Sequence, residues 1–162
     1  MPIFDRAEIE REFQNYKEVV KRCAASDDWN EYCDLYTEDA TLRASGSFKI
    51  GGREALRRWY KEVFSQEPLR QLKWYPVIWY MIDESQGWVS AEFQCRMDDP
   101  GDGSIHQFSC FSLLRYAGNG LWSYDQDKFD PAEMEAVFES WTEAKKRCDA
   151  EIKAEGKVKV KA

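Results

Sequence analysis

Histidine is nearly missing from this chain: His106 is the only one in 162 residues. A site built on two or more imidazoles is therefore excluded. The five cysteines, Cys23, Cys33, Cys95, Cys110 and Cys148, are odd in number and widely scattered, with no CxxC and no Cys/His cluster. That rules out the usual zinc and dithiol spacings, and no metal is expected. Each cysteine sits in an apolar pattern and reads as a small buried hydrophobe. A reducing cytoplasm is the expected location. No apolar run approaches the length of a membrane span, and residues 1–22 are charged throughout, so neither a spanning helix nor a secretory leader is expected. There is no phosphate loop, no dinucleotide fingerprint and no nucleophile elbow, hence no cofactor is expected. Basic charge is also scarce, with 23 Lys and Arg against 30 Asp and Glu and a net charge of −7. That argues against nucleic acid and against an anionic membrane surface as partners. The one basic run, Lys157 to Lys161, reads as a solvated end within a charged tail, 151–162.

Aromatic residues, by contrast, are abundant. Seven Trp, eight Tyr and nine Phe make up 15% of the chain. Such side chains bring large apolar area, and on Tyr and Trp a polar handle, which suits pockets and interfaces as well as cores. They concentrate between Asp27 and Phe64. There a short amphipathic helix (Trp29, Tyr32, Cys33, Leu35, Tyr36) runs into the acidic turn Glu38-Asp39 and a strand from Ala40 to Ala44. A loop with Gly46 follows. A helix then opens after Gly51-Gly52 and carries Leu56, Trp59, Tyr60, Val63 and Phe64.

Around this stretch the periodicities are clear. Asp5 caps a first helix reaching about Ala24, with Ile9, Phe13, Tyr16, Val20 and Cys23 on one face. From Lys73 the texture becomes that of strands: Lys73 to Ile82, Trp88 to Met97, Ile105 to Tyr116 and Leu121 to Phe129. The turns between them are rich in Gly, Asn, Asp and Pro. Asp130-Pro131 starts a last helix with Met134, Val137, Phe138, Trp141 and Ala144 inward. The order predicts an α+β fold: three N-terminal helices on a curved antiparallel or mixed sheet, plus a C-terminal helix, in a single domain over 1–150.

This order, with LYTEDAT (35–41), GGREALRRWY (51–60) and the ending WSYDQDKFDPAEM (122–134), resembles the nuclear transport factor 2 superfamily, in particular its SnoaL-like, polyketide cyclase-like branch. The group also includes ketosteroid isomerases, scytalone dehydratase and limonene epoxide hydrolase. The resemblance spans Asp5 to about Pro131. It implies a cone-shaped, cystatin-like sheet wrapped by helices around a deep pocket for a small apolar molecule. It also implies a homodimer, for which Trp74, Trp79 and Trp88 suit the interface or the core.

The isomerase's own chemistry does not carry over. Its oxyanion-hole tyrosine falls at Val20, its aspartate base at Ala44 and its second oxyanion donor at Ser112, while two supporting tyrosines match Tyr36 and Tyr60. Scytalone dehydratase needs two pocket histidines, and the epoxide hydrolase Asp-Arg-Asp set has no counterpart.

Three groups remain for acid/base work. Strand alternation places His106, Phe108, Cys110 and Ser112 on one face, and Asp125 and Asp127 on one face of the last strand. The resemblance turns both faces inward. The hairpin turn then brings Ser112 near Asp125 and Cys110 near Asp127. A carboxylate in an apolar pocket has a raised pKa and serves as acid or base; Asp125 matches the acid/base of the cyclases, with His106 or a tyrosine assisting. Tyr16, Val20, Trp29, Tyr32, Tyr36, Trp59, Tyr60, Phe108 and Ser112 are the expected substrate-binding residues. Blander readings stand beside this one. Asp125 and Asp127 sit at an exposed strand end or pair with Arg115 and Lys128, or Asp127 and Asp130 bond loop amides or cap the last helix. If the register of Trp88–Met97 is reversed, Glu92 and Gln94 face the cavity instead. The expected activity is a cyclisation, isomerisation or dehydration of a polyketide- or steroid-like molecule. The alternative is a non-catalytic, dimeric ligand-binding module.

Overall fold

The computed structural model describes residues 3–161, with side chains through residue 157. Helix α1 (Arg6–Ser26) begins where the Asp5 carboxylate accepts a hydrogen bond from the Ala7 amide at 2.9 Å. It buries the predicted stripe Ile9, Phe13, Tyr16, Val20 and Cys23, together with Val19 and Ala24. Asp27, in the left-handed conformation, ends it.

The next helix, α2 (Asn30–Asp34), is a single turn, shorter than expected. Tyr36 does not continue it but opens strand β1 (Tyr36–Arg43). The cause is pairing: the Leu35 carbonyl accepts from the Trp122 amide at 2.8 Å, which captures the chain into the sheet. A short strand, β2 (Lys49–Gly51), stands where a loop is expected and closes antiparallel on β1. Helix α3 (Arg53–Trp59) continues as a π-helical turn over Tyr60–Phe64. The expected single strand over 73–82 is two, β3 (Leu72–Trp74) and β4 (Val77–Asp83), because Tyr75-Pro76 interrupts the ladder.

Strands β5 (Trp88–Met97), β6 (Gln107–Gly118) and β7 (Leu121–Lys128) complete one mixed sheet in the order β2-β1-β7-β6-β5-β3, with β4 also on β5. Among the described residues only β1 and β7 run parallel. Along β5, Val89, Ala91, Phe93, Cys95 and Met97 are buried. Glu92 and Gln94 lie on the outer face, where Glu92 accepts from Trp79 and Ser109, so the reversed register does not occur.

Helix α4 (Pro131–Lys161) starts with Asp130 capping the Ala132 amide at 2.9 Å. It packs Trp141 onto the sheet and donates from its indole to the Asp98 carbonyl at 2.7 Å. Residues 151–157, expected in a separate tail, continue this helix and are exposed. No helix among the described residues is long and apolar enough to cross a membrane.

Two apolar cores result. The larger lies under α1, α2 and α3; the smaller joins Leu72, Cys95, Met97, Phe108 and Cys110 to Trp141 of α4. Phe64 and Tyr75 pack against both.

Candidate active site

Between the two cores lies a cavity of about 460 Å³. Its walls come from every layer: Tyr16 and Val20 of α1, Trp29 and Tyr32 around α2, Trp59, Tyr60 and Phe64 from α3 and the π turn. Phe93 and Cys95 of β5, and Phe108, Cys110 and Ser112 of β6, form the sheet side. Phe129 and Met134 close the end beside α4. The sheet curves away from the helices, so the aromatic side chains roof the space without filling it.

Asp127 is the carboxylate on this wall. The Ser112 hydroxyl donates to its Oδ1 at 2.5 Å. Burial raises the Asp127 carboxyl above the ordinary range, while Ser112 and the Cys110 thiol pull it back down. No ion pair among the described residues engages either Asp125 or Asp127.

Asp125 occupies a different place from the one expected. It points inward and is 2% exposed, yet it lies behind the cavity wall rather than on it. Three tyrosine hydroxyls converge on its Oδ2: Tyr36 at 2.5 Å, Tyr32 at 3.2 Å and Tyr16 at 3.5 Å. The hydroxyls also touch one another, Tyr32 to Tyr36 at 2.7 Å and Tyr16 to Tyr32 at 3.2 Å. Each tyrosine has one proton to give. The shortest contacts therefore form a chain in which Tyr16 donates to Tyr32, Tyr32 to Tyr36 and Tyr36 to Asp125. The cavity meets this chain at Tyr16 and Tyr32; Tyr36, expected to bind substrate, is sealed behind them. Oδ1 of Asp125 is buried without a partner. Burial, and next the neighbouring Asp127, push Asp125 well above the carboxylate range, against the pull of the three hydroxyls. The tyrosines in turn are raised well above their ordinary value, chiefly by burial.

His106 is not at the cavity. The Met97 amide still donates to the His106 carbonyl at 2.9 Å, and His106, like Phe108, meets α4, but it lies past the end of the cavity. Its ring lies between the Ser104 and Ser140 hydroxyls, each at 2.8 Å, beside α4. The register of the hairpin also differs. Gly118 pairs with Leu121 around a two-residue Asn119-Gly120 turn, which sets Ser112 opposite Asp127 and Leu114 opposite Asp125. Arg115 and Lys128 do not pair with the aspartates. They belong to the opposite face, where Arg115 lies over the Trp88 ring at 5.3 Å. Val20, Trp29, Tyr32, Trp59, Tyr60, Tyr16, Phe108 and Ser112 do line the cavity. The sequence reading missed Phe64, Tyr75 and Cys95 as lining residues. The inward alternation of β5 was the signal for Cys95.

No protein-family model matches this chain, and no curated protein is similar to it in sequence. Its fold does have solved counterparts. An LEH-like epoxide hydrolase from M. tuberculosis is 14% identical, with 83% of this chain and 94% of that chain covered and a TM-score of 0.58. A putative isomerase from Bacillus subtilis is 19% identical over 78% of this chain and 94% of that one, TM-score 0.60. An NTF-2 like protein of unknown function from Shewanella oneidensis MR-1 is 10% identical over 74% and 98%, TM-score 0.53. At such identities the likeness establishes architecture and leaves the chemistry to the side chains. The chain has the nuclear transport factor 2-like fold, with a curved seven-stranded sheet and an aromatic cavity under its helices.

Proposed function

We propose that this chain is a SnoaL-like pocket protein that performs acid/base chemistry, a cyclisation, isomerisation or dehydration, on an apolar polyketide- or steroid-like molecule. The observation that carries the reading is Asp127, a carboxyl on a largely aromatic wall, raised above the ordinary carboxylate range by burial. Asp127 takes the role that the sequence gives to Asp125. Ser112 holds Oδ1 and so orients the carboxyl, leaving its other oxygen for a ligand. As base, Asp127 removes a proton from carbon or oxygen of the ligand; as acid it returns one. Negative charge that develops on a ligand oxygen is met by the Tyr16 hydroxyl when the chain runs the other way, a protonated Asp125 donating to Tyr36, Tyr36 to Tyr32 and Tyr32 to Tyr16. His106 has no part in this.

The five cysteines are buried and free, which supports a reducing location, the cytoplasm. Trp79, Met81 and Phe111 stand exposed on the outer sheet face and support a homodimer through it.

Deuterium exchange next to the carbonyl of 1-tetralone, followed by NMR in heavy water, tests the reading without knowledge of the substrate. The protein should accelerate exchange, and Asp127→Asn should remove about 10²–10⁴-fold of that acceleration. A folded wild-type protein that binds 1-tetralone without accelerating exchange would favour the binding-module reading.

A further inference from the structure

Asp125 is a buried acid with no counter-charge and a single outlet. It is 2% exposed, and no ion pair among the described residues reaches it. Its Oδ1 has no partner, whereas its Oδ2 meets three tyrosine hydroxyls. An ionised carboxylate leaves a charged oxygen without a donor; a protonated carboxyl leaves only a carbonyl-type oxygen there. The resting form is therefore the neutral acid, with its proton on Oδ2. A carboxyl buried without a cation is a costly way to fill space, and such groups concentrate where a proton is handled.

The outlet is a row of oxygens. From Asp125 Oδ2 it is 2.5 Å to Tyr36, 2.7 Å onward to Tyr32 and 3.2 Å onward to Tyr16. Tyr16 and Tyr32 belong to the cavity wall. Each hydroxyl gives one proton and accepts another, so the row has two directions. With Asp125 protonated, every O–H points toward the cavity; with Asp125 ionised, every O–H points back. Passing from the first state to the second delivers one proton to an oxygen lying against Tyr16 and displaces no heavy atom.

We infer that Asp125 supplies the proton for the ligand's oxygen, through Tyr36, Tyr32 and Tyr16, while Asp127 takes a proton from the ligand's carbon. This rests on the acid/base reading of the cavity and gives that chemistry its second carboxyl. With a ketone, a carboxylate oxygen of Asp127 bonds the α-hydrogen, the C–H electron pair becomes the C=C bond and the carbonyl π pair moves to oxygen. That oxygen takes the Tyr16 proton, Tyr16 takes the proton of Tyr32, Tyr32 that of Tyr36, and Tyr36 that of Asp125. The outcome is a neutral enol, a protonated Asp127 and an ionised Asp125. One negative charge is present before and after, moved two residues along β7. Stepwise transfer would leave an enolate or a tyrosinate in an apolar interior, so the protons move together. When Asp127 returns its proton to carbon, the row runs back and Asp125 is recharged. Asp125 touches no ligand and is a positioning residue whose proton travels through others.

Turnover thus needs Asp127 ionised and Asp125 protonated. The titratable groups acting on the pair are Tyr16 from α1, Tyr32 from α2, Tyr36 from β1, Tyr60 from the π turn, Tyr75 from the β3–β4 link and Cys110 from β6. None is cationic, and burial holds these tyrosines well above their ordinary value. Asp125, raised by burial and then by Asp127, is the group whose ionisation stops the reaction toward alkaline pH.

Release of tritium from 1-tetralone labelled next to its carbonyl tests this. The wild-type rate should rise and then fall with pH. Plotted against deuterium content in mixtures of H₂O and D₂O, it should bow downward, because several protons move at once. Asp125→Asn keeps the shape and a donor for Tyr36 but yields no proton. It should lose about 10²-fold at the optimum, and the alkaline fall with it, while still binding 1-tetralone. A variant that keeps the wild-type rate shows that oriented hydroxyls suffice. One that is slower but still falls at alkaline pH shows that Asp125 only supports the wall. Either result overturns the inference. So does a straight line in the H₂O–D₂O mixtures, a wild-type measurement that stands whether or not the variant folds. Release with any of these results ends this inference alone; no release above background by the wild type ends the acid/base reading and this inference together.

Discussion

The Tyr36 hydroxyl lies 2.5 Å from Asp125 Oδ2, the tightest of three tyrosine contacts on one buried oxygen. Tyr36 comes from the start of β1 and Asp125 from the parallel strand β7, so this bond also ties the sheet's one parallel pair together. Tyr36→Phe keeps the ring and removes the donor. It should cost about 1–3 kcal/mol, because the carboxyl loses its shortest bond and finds no water in its place. Urea denaturation at neutral pH measures this, and an unchanged midpoint would contradict the hydrogen bond.

The same carboxyl gives stability a pH dependence. Its folded value is raised well above the ordinary 3.8, mainly by burial and next by Asp127. The protonated form is thus the one that folding favours. The contribution is complete below about 3.8 and is lost as pH rises through the folded value. Wild-type protein should therefore gain on Asp125→Asn as pH is lowered from 8 to 5. Thermal melts of both proteins across that range give the difference, and a constant gap would show that Asp125 is not protonated on folding.

Ser112 acts on Asp127 without meeting the reacting atoms. Its hydroxyl favours the anion, so Ser112→Ala should move the titration of Asp127 upward. The pH profile of 1-tetralone exchange should shift to higher pH, and Ser112→Thr should restore it. A lower rate with an unmoved profile would mean that Ser112 only packs.

The outer sheet face gives a prediction about assembly. Met81 is 63% exposed and Phe111 48%. If this face joins two copies, Phe111→Glu should convert a dimer to a monomer in light scattering coupled to size exclusion. A wild-type protein that elutes as a monomer at all concentrations refutes the proposal.

Gly87 holds the β4–β5 turn against α1's leading segment. At φ +75°, a Cβ there would lie 3.0 Å from the Phe4 ring and 3.2 Å from the Tyr116 carbonyl oxygen. Gly87→Ala should destabilise by about 1 kcal/mol or more. Phe4→Leu in the same background should recover part of the loss, since the ring is the movable neighbour.

Much of this architecture is legible in the sequence because one face of each element is buried. The α1 stripe and the β5 alternation are set by that requirement, and both occur with the predicted residues inward. What periodicity does not contain is pairing. Tyr36 fits the helical pattern of 29–36, but β7 claims the chain there. The distinction between Asp125 and Asp127 is equally a matter of depth. Alternation turns both inward, and only the positions of three tyrosines from α1, α2 and β1 decide which one meets the cavity. His106 shows the limit of alternation, since parity gives the face and not how far along the strand the cavity reaches.

The two-residue Asn119-Gly120 turn has a consequence for the evolution and redesign of this chain. Together with the irregularity at Tyr116 it phases β7 against β6, and a slip of β7 by one residue would send both aspartates to the outer surface and bring Gln126 inside. The apolar wall, contributed by α2, the π turn and β5, would be left as it is. Ligand preference can therefore drift through the wall by single substitutions, whereas the acidic centre is inherited or lost as a unit.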